Sequence, residues 1–398
     1  MSAHRSRWEA AAWLVADSRD LLEARPSGGE PPGALVARGW DAFLLSLDDA
    51  ELSVIETHGH DAHWPERTPA GLRALLCRAR DVCALPTFSL PLPSPRPARR
   101  GETLRKLLQV AAFRQLITPL TARAARVVDV GSGHGHLTRE IAESVALPVV
   151  GLERDAALAG RARALSSPAS PRFTVTDVLR DGLALSTGDC VTGLHACGEL
   201  GDAMVTSVAR SPGAMLALVG CCLQKRRQTS RAPLFVDRPV DGALLELPRA
   251  LLGLSNLVPS DDGVEATRVQ NLAARERRLA LNRLLSERGG PLRFGAEIEG
   301  LNRRTAQREL PQLVDRAFAA RGLPRPSCSA VEAAAVWARA AHGRARRLSL
   351  PRAMLARVLE VYVLHDQAVH LEERGFTVQL GVLFPANVSA RNLALVAR

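Results

Sequence analysis

The stretch Val128-Asp129-Val130-Gly131-Ser132-Gly133-His134-Gly135-His136-Leu137-Thr138-Arg139-Glu140 decides the fold of this chain. The apolar run Val127 to Val130 has the character of a buried strand, and Leu137 to Val145 has the spacing of a helix. Between them Gly131, Gly133 and Gly135 make a turn that side chains would obstruct. Glycine takes positive φ freely and lets backbone come close to a ligand. The helix N-terminus beyond the turn offers free N–H groups and a positive dipole end. A dinucleotide loop is usually spaced G-x-G-x-x-G. Here the pattern is D-x-G-x-G-x-G-x-L, with Asp129 two positions before the first glycine, and that spacing disfavours a nicotinamide-dependent oxidoreductase.

Outward from this stretch, strand and helix alternate as a doubly wound α/β fold requires. Strands are predicted at Arg126–Val130, Pro148–Leu152, Arg172–Val175, Cys190–Leu194 and Ala214–Gly220. Ligands of such sheets lie at the carboxyl ends of the strands. Glu153 closes the second strand, about 20 residues past the loop, where a carboxylate accepts from both hydroxyls of a ribose. Asp177 follows the third, placed to accept from an adenine amino group. The fourth strand ends in Leu194-His195-Ala196-Cys197-Gly198-Glu199-Leu200-Gly201-Asp202, and the fifth in Val219-Gly220-Cys221-Cys222-Leu223. Far downstream, Phe376 to Phe384 and Asn392 to Ala397 read as an antiparallel hairpin that closes the sheet.

Three of these motifs carry a resemblance. The loop resembles the S-adenosylmethionine (SAM) loop of class I methyltransferases. Together with His195-Ala196-Cys197-Gly198-Glu199-Leu200 and Gly220-Cys221-Cys222, it resembles the methyltransferase-like protein 25 family and its bacterial relatives. Leu383-Phe384, Ser389 and Arg391-Asn392-Leu393-Ala394 echo that family's ending, with Ala390 where a proline usually stands. A looser similarity runs to the tRNA 2′-O-methyltransferases of the acceptor stem, whose Cys/His zinc modules this chain lacks. The resemblance covers roughly residues 101–240 and 350–398 and does not extend to residues 1–85. It implies a seven-stranded, Rossmann-like doubly wound sheet, S-adenosyl-L-methionine as cofactor and in-line methyl transfer.

In that frame Gly131, Ser132, Gly133 and Gly135 cradle the methionine part of SAM, and Asp129 orients its amino group through the loop. Glu153 holds the ribose and Asp177 the adenine. The Asn/Asp-Pro-Pro-aromatic stretch of many amino-group methyltransferases is absent after the fourth strand, and an imidazole and a thiol stand in its place. His195 is expected to border the cofactor and act as a general base or an orienting acceptor, since an imidazole titrates near neutrality. Cys197 lines the pocket, packs as a small residue, or acts as a nucleophile if its pKa is depressed. Asp202 caps the following helix or holds His195. Cys221 and Cys222 are expected as buried strand-end residues, with Cys222 bordering the methyl site.

The 398 residues leave room for two or three compact units. We expect a helical N-terminal domain over 1–85, a Pro-rich linker over 86–100 and a SAM-binding core over 101–224. A basic helical insertion over 225–350 follows, and 351–398 completes the core. The chain carries 52 Lys+Arg against 41 Asp+Glu, a net of +11, yet only Lys106 and Lys225 are lysines. Residues 225–350 hold 23 Lys+Arg against 13 Asp+Glu, a net of +10, so nearly all the excess lies there. Lys225-Arg226-Arg227, Arg275, Arg277-Arg278, Arg303-Arg304, Arg344 and Arg346-Arg347 form a candidate RNA-binding face; solvated helix faces written in Arg by codon bias are the bland alternative.

Helices are predicted at Thr103–Leu120, Val264–Glu287, Glu309–Arg321, Ala330–Arg346 and Arg352–Arg374. Ser329-Ala330-Val331-Glu332 has a capping-box pattern, and Ser349-Leu350-Pro351 opens the last long helix. His58, His60 and His63 read as solvated loop histidines and Cys77 and Cys83 as small hydrophobes on one helix, so no metal site is expected. Seven Cys without a C-x-x-C pair suit a reducing cytoplasm. No run approaches the ~20 apolar residues of a membrane span, and the amphipathic start is not a signal-peptide core. The rival readings are a SAM-fold binding module without catalysis, and a methyltransferase acting on protein or a small molecule.

Overall fold

A computed structural model describes residues 2–26, 29–90, 102–166, 171–235, 245–254, 267–290, 292–293, 295–301, 305 and 308–398. Its centre is a seven-stranded sheet: β1 (Arg126–Val130), β2 (Val149–Glu153), β3 (Arg172–Val175), β4 (Asp189–Cys197), β5 (Met215–Cys221), β6 (Val378–Val382) and β7 (Leu393–Ala397). Across the sheet the order is β3-β2-β1-β4-β5-β7-β6. The first five strands pair in parallel, and β7 runs antiparallel between β5 and β6. This is an α/β, Rossmann-like sheet with the closing antiparallel pair that the sequence predicts.

Period-two alternation explains why both faces are covered. On β5, Met215, Ala217 and Val219 face one helical layer, built on Leu104–Thr121 and His136–Ser144. Leu216 and Leu218 face the other, built on Glu199–Ala209 and Leu350–Glu372. A strand buried on both sides is written as an unbroken apolar run, which is how Met215–Cys221 reads. The strand reversal between β1 and β4 opens a crevice at their carboxyl ends, where open α/β sheets take ligands.

The helices of residues 2–83 do not close a core of their own. Trp8, Leu14, Leu22, Leu44, Leu52, Ile55 and Leu72 share one buried cluster with Phe235, Leu251, Met354, Leu359 and Tyr362. Trp8 stacks on Tyr362 at 6.0 Å and meets Phe235 edge-on at 5.4 Å. The Leu350–Glu372 helix is therefore buried on two sides, one on the sheet and the other under the N-terminal helices. A further cluster joins Arg268–Gly289, Leu310–Ala319 and Cys328–Leu348 around Leu281, Leu284, Leu313 and Phe318.

Several expectations need correction. The Cys328–Leu348 helix is capped by Ser327, whose Oγ accepts from the Ala330 N–H at 3.2 Å; Ser329 lies inside the helix, so its capping box does not form. His58 ends the Asp49–His58 helix, and His60 sits in a short 3₁₀ turn with Nε2 buried and unpartnered among the described residues, not in a solvated loop. The segment expected to begin a linker starts as sheet: Pro86 O accepts from Val382 N at 2.8 Å, and Phe88 N donates to Val382 O at 3.0 Å. Gly381 makes that approach possible, since a Cβ there would sit 2.7 Å from Pro86 O. Residues 91–100 of that linker, the Arg303-Arg304 cluster and the predicted helix start at Val264 lie outside the described residues.

Many arginines of 225–350 point at carboxylates. Arg268 and Arg346 both pair with Glu56 (2.7 and 2.5 Å), Arg347 with Asp49 (2.7 Å), Arg277 with Glu309 and Arg278 with Glu297 (2.8 Å each). Part of the positive charge thus fastens this segment to the N-terminal helices and to itself. Among the described residues no helix is long and apolar enough to cross a membrane.

Candidate functional site

The Gly-rich loop takes the backbone its sequence demands. Gly131, Gly133 and Gly135 have φ of +73°, +55° and +71°. A Cβ at Gly135 would lie 2.5 Å from the Phe173 ring, whereas one at Gly133 would project into open space. The N–H groups of Gly131 and Ser132 both donate to Leu152 O on β2, at 2.8 and 3.0 Å, which pins the turn to the neighbouring strand. The helix His136–Ser144 then starts directly from Gly135 with no acidic residue in its first turn. Its positive end stays available to an anion.

Asp129, at the end of β1, is 2% exposed and accepts from Thr138 Oγ1 at 2.6 Å. Burial pushes its carboxyl up to about 6, against the opposing pull of the Thr138 hydroxyl and the Lys106 ammonium. Loop and strand border a cavity of about 330 Å³ lined by Thr103, Lys106, Asp129, Gly131–Gly133, His134, His136, Leu137 and Leu194. Ser132 Oγ and His136 Nδ1 are buried here without hydrogen-bond partners among the described residues. Buried polar atoms in folded proteins are paired with few exceptions, so both await a ligand or water.

Glu153 ends β2 beside the loop. Its Oε2 accepts from Gly133 N and its Oε1 from Asp155 N, both at 2.9 Å. A carboxylate accepts at about four positions, so each oxygen keeps capacity for a hydroxyl. Asp177 follows β3 and caps the short Val178–Asp181 helix, Oδ1 accepting from Leu179 N at 3.1 Å.

The ends of β4 and β5 are knitted together. Gly198 N donates to Cys221 O (2.9 Å), Glu199 N to Lys225 O (3.1 Å) and Lys225 N to Cys222 O (2.8 Å). Gly198 has φ +53°, and a Cβ on it would meet Lys225 O at 2.2 Å, so only glycine fits. His195 and Cys222 are the two non-glycine residues of positive φ, at +66° and +45°, among those described. Strained backbone of this kind costs of order 1–3 kcal/mol and collects at functional sites. The His195 ring faces Phe384 at 6.4 Å. Burial, with Lys106, Arg105 and Arg391 adding positive potential, drives its pKa down to about 4. It is a neutral imidazole at physiological pH and a weak base, which favours the orienting role over the general base.

Asp202 neither caps the helix nor touches His195. The cap position of Glu199–Ala209 is Gly198. Asp202 instead accepts from Arg231 (2.9 and 3.0 Å), Arg226 (2.8 Å) and Gln367 (2.9 Å), and Arg231 also reaches Asp366 at 2.6 Å. With Arg231 1% exposed and Asp366 fully buried, this is a structural ion network behind the site. The sequence signal for it is invisible, because Asp366 lies 135 positions from its partner. Lys106, which lines the cavity at the end of β1, was also missed.

Comparison with known families agrees with this geometry. Residues 105–229 match a methyltransferase domain. The segment runs from the helix before β1 through the β4 and β5 ends, so the domain carries the Gly-rich loop, Glu153, Asp177, His195 and the cysteines. Among solved structures, SAM-bound CalS10 is similar, an amino pentose methyltransferase from Micromonospora echinaspora. It is 27% identical over 31% of this chain and 52% of its own, with a TM-score of 0.25. A TehB-like SAM-dependent methyltransferase from Corynebacterium glutamicum is 17% identical over 38% and 74%, at 0.24. The plantazolicin methyltransferase BpumL with S-adenosylhomocysteine is 13% identical over 27% and 47%, at 0.22. This chain thus spans about half the length of CalS10 and of BpumL.

Proposed function

We propose that this chain is a SAM-dependent methyltransferase whose cofactor lies over the Gly131–Gly135 loop, between Asp129 and Glu153. The observation that carries the reading is the cavity at the end of β1. It joins a glycine turn with an open face at Gly133, an available helix N-terminus, a buried carboxyl and the unpartnered Ser132 Oγ. These groups fit the cofactor's amino acid end, with the helix N-terminus taking its carboxylate and Asp129 its ammonium. Glu153 keeps acceptor capacity for the ribose hydroxyls, and Asp177 keeps one oxygen for the adenine amino group. The cofactor supplies an electrophilic sulfonium methyl.

The protein's work is then to hold the acceptor in line, which accounts for much of the rate in such displacements. His195, neutral and fixed by its strained backbone, accepts a hydrogen bond from the incoming hydroxyl or amine and orients its lone pair. Cys197 and Cys222 border the place where the acceptor arrives, and Asp202 acts through the framework only.

On the residues quoted for it, the methyltransferase-like protein 25 family is the relative we favour. The acceptor class we favour is RNA, because the net charge of +11 suits a polyanion. The test is label transfer. Purified chain is incubated with methyl-labelled SAM and extract from a strain lacking the gene, then treated with nuclease or protease. Label removed by nuclease supports RNA. Label removed only by protease moves the acceptor to protein, and SAM binding without transfer to any fraction overturns the enzyme reading.

A further inference from the structure

Three thiols converge where β4 and β5 end. The Sγ atoms of Cys197, Cys221 and Cys222 all lie within 4.8 Å of one another, and they are the one group of three or more metal-ligating side chains this close among the described residues. Cys197 and Cys221 approach to 3.0 Å, well beyond the ~2.05 Å of a disulfide. Three sulfurs around one zinc, each ~2.3 Å from it in tetrahedral array, stand about 3.8 Å apart, so the 3.0 Å Cys197–Cys221 pair has to open by about 0.8 Å to hold the ion.

The sequence does not show this. Cys221 and Cys222 are adjacent, a spacing no ordinary C-x-x-C rule picks out, and their third member comes from another strand. What brings them together is the knit of β4 and β5. The β4–β5 register sets Cys197 opposite Cys221, and the hydrogen bonds of Gly198, Glu199 and Lys225 lock the two turns. The positive φ of Cys222 swings its side chain back beside Cys221 instead of across the sheet, as strand alternation would have it. Strain is spent here on bringing thiols together.

We infer that Cys197, Cys221 and Cys222 form a three-thiolate zinc site with a fourth position open. The charge around it agrees. Arg391 and Lys225 place positive charge beside Cys222, which with zinc's two charges more than offsets three thiolates. Room for a small fourth ligand such as water is present: a cavity of about 30 Å³ adjoins, lined by Gly198, Cys221, Glu360 and Arg391. Three protein ligands plus an open position is the arrangement of catalytic, not structural, zinc. The inference concerns metal binding by these thiols and does not depend on the methyl-transfer reading.

The experiment measures metal on the full chain. Protein purified under reducing conditions is assayed for zinc, then stripped and titrated with cobalt(II). We expect about one equivalent of zinc per chain, as a single three-thiolate site requires, and thiolate-to-cobalt charge-transfer bands that saturate at the same ratio. Cys222→Ser should lose most of the charge-transfer intensity, while Cys77→Ser, an exposed thiol elsewhere, should keep it. Zinc should also shield three thiols of the wild-type chain from maleimide, a readout that needs no variant to fold. Reduced protein that gives no charge-transfer band, or bands unchanged in Cys222→Ser, overturns the inference. So does a Cys197–Cys221 disulfide that is the sole stable state under mild reduction.

Discussion

With Asp129 in its proposed role, cofactor affinity should depend on pH in a way that can be calculated. Its folded pKa of about 6 means that at pH 5 roughly ten of every eleven molecules carry a neutral carboxyl. If the carboxylate is what meets the cofactor's ammonium, affinity at pH 5 falls about tenfold from its plateau, or about 1.4 kcal/mol. At pH 7.5 only about 3% of molecules are protonated by the same relation, so the plateau is reached. Because the pKa is raised on folding, the group binds more protons in the native state between pH 3.8 and 6. Its own contribution to stability therefore falls as pH rises through that window. Affinity and stability move in opposite directions, which separates the effect from acid unfolding. Calorimetric titration of S-adenosylhomocysteine from pH 5 to 8 measures the slope, and Asp129→Asn removes the titrating group while keeping an acceptor for Thr138. A flat wild-type profile, or an equal slope in the variant, refutes the assignment of Asp129.

Three further outcomes are expected. Gly135→Ala places a methyl 2.5 Å from the Phe173 ring at a φ of +71°, so S-adenosylhomocysteine binding should weaken by at least tenfold, with about 1–3 kcal/mol lost in urea unfolding. His195→Ala should reduce methyl transfer strongly while cofactor affinity changes little. With its pKa near 4, the wild-type rate should show no His195 ionisation around pH 6.5; loss of both parameters together would return the residue to a packing role. Asp202→Asn takes the carboxylate from buried Arg226 and leaves Arg231 with Asp366 alone, and should cost about 3–5 kcal/mol in denaturant unfolding, the usual penalty for breaking a buried pair. Stability within 1 kcal/mol of wild type would show the network to be solvent-relieved.

How much of this could be read in the chain depends on sequence distance. The β1–loop–helix unit was legible because its determinants, three glycines and an apolar run, act within a dozen residues. β3 and β7 were also found close to their ends, since alternation and breakers are local signals. The role of Asp202 was not legible: a helix cap and an ion hub look alike until Arg226, Arg231 and Gln367 are seen to converge. The three-thiol cluster was hidden for a related reason, since a left-handed φ at Cys222 has no local sequence mark. The low pKa of His195 was not legible either, because burial and three cations, not residue type, set it.

The seam between the N-terminal helices and the Leu350–Glu372 helix has a consequence for biosynthesis. A ribosome releases Trp8 more than 350 residues before Tyr362, the ring it stacks on, and His4 before the Val378 carbonyl it reaches at 3.3 Å. Until then Leu14, Leu22, Leu44 and Leu52 lack the surface that buries them. At translation rates of about 5–20 residues per second that wait lasts roughly 20–70 s. β5 meanwhile stays an open edge, because β7 is made last. From the end of β5 until β7 is made the nascent chain thus carries five of its seven strands with one edge open and its N-terminal helices uncovered, and truncation anywhere before residue 350 should yield an aggregating product, not a smaller folded one.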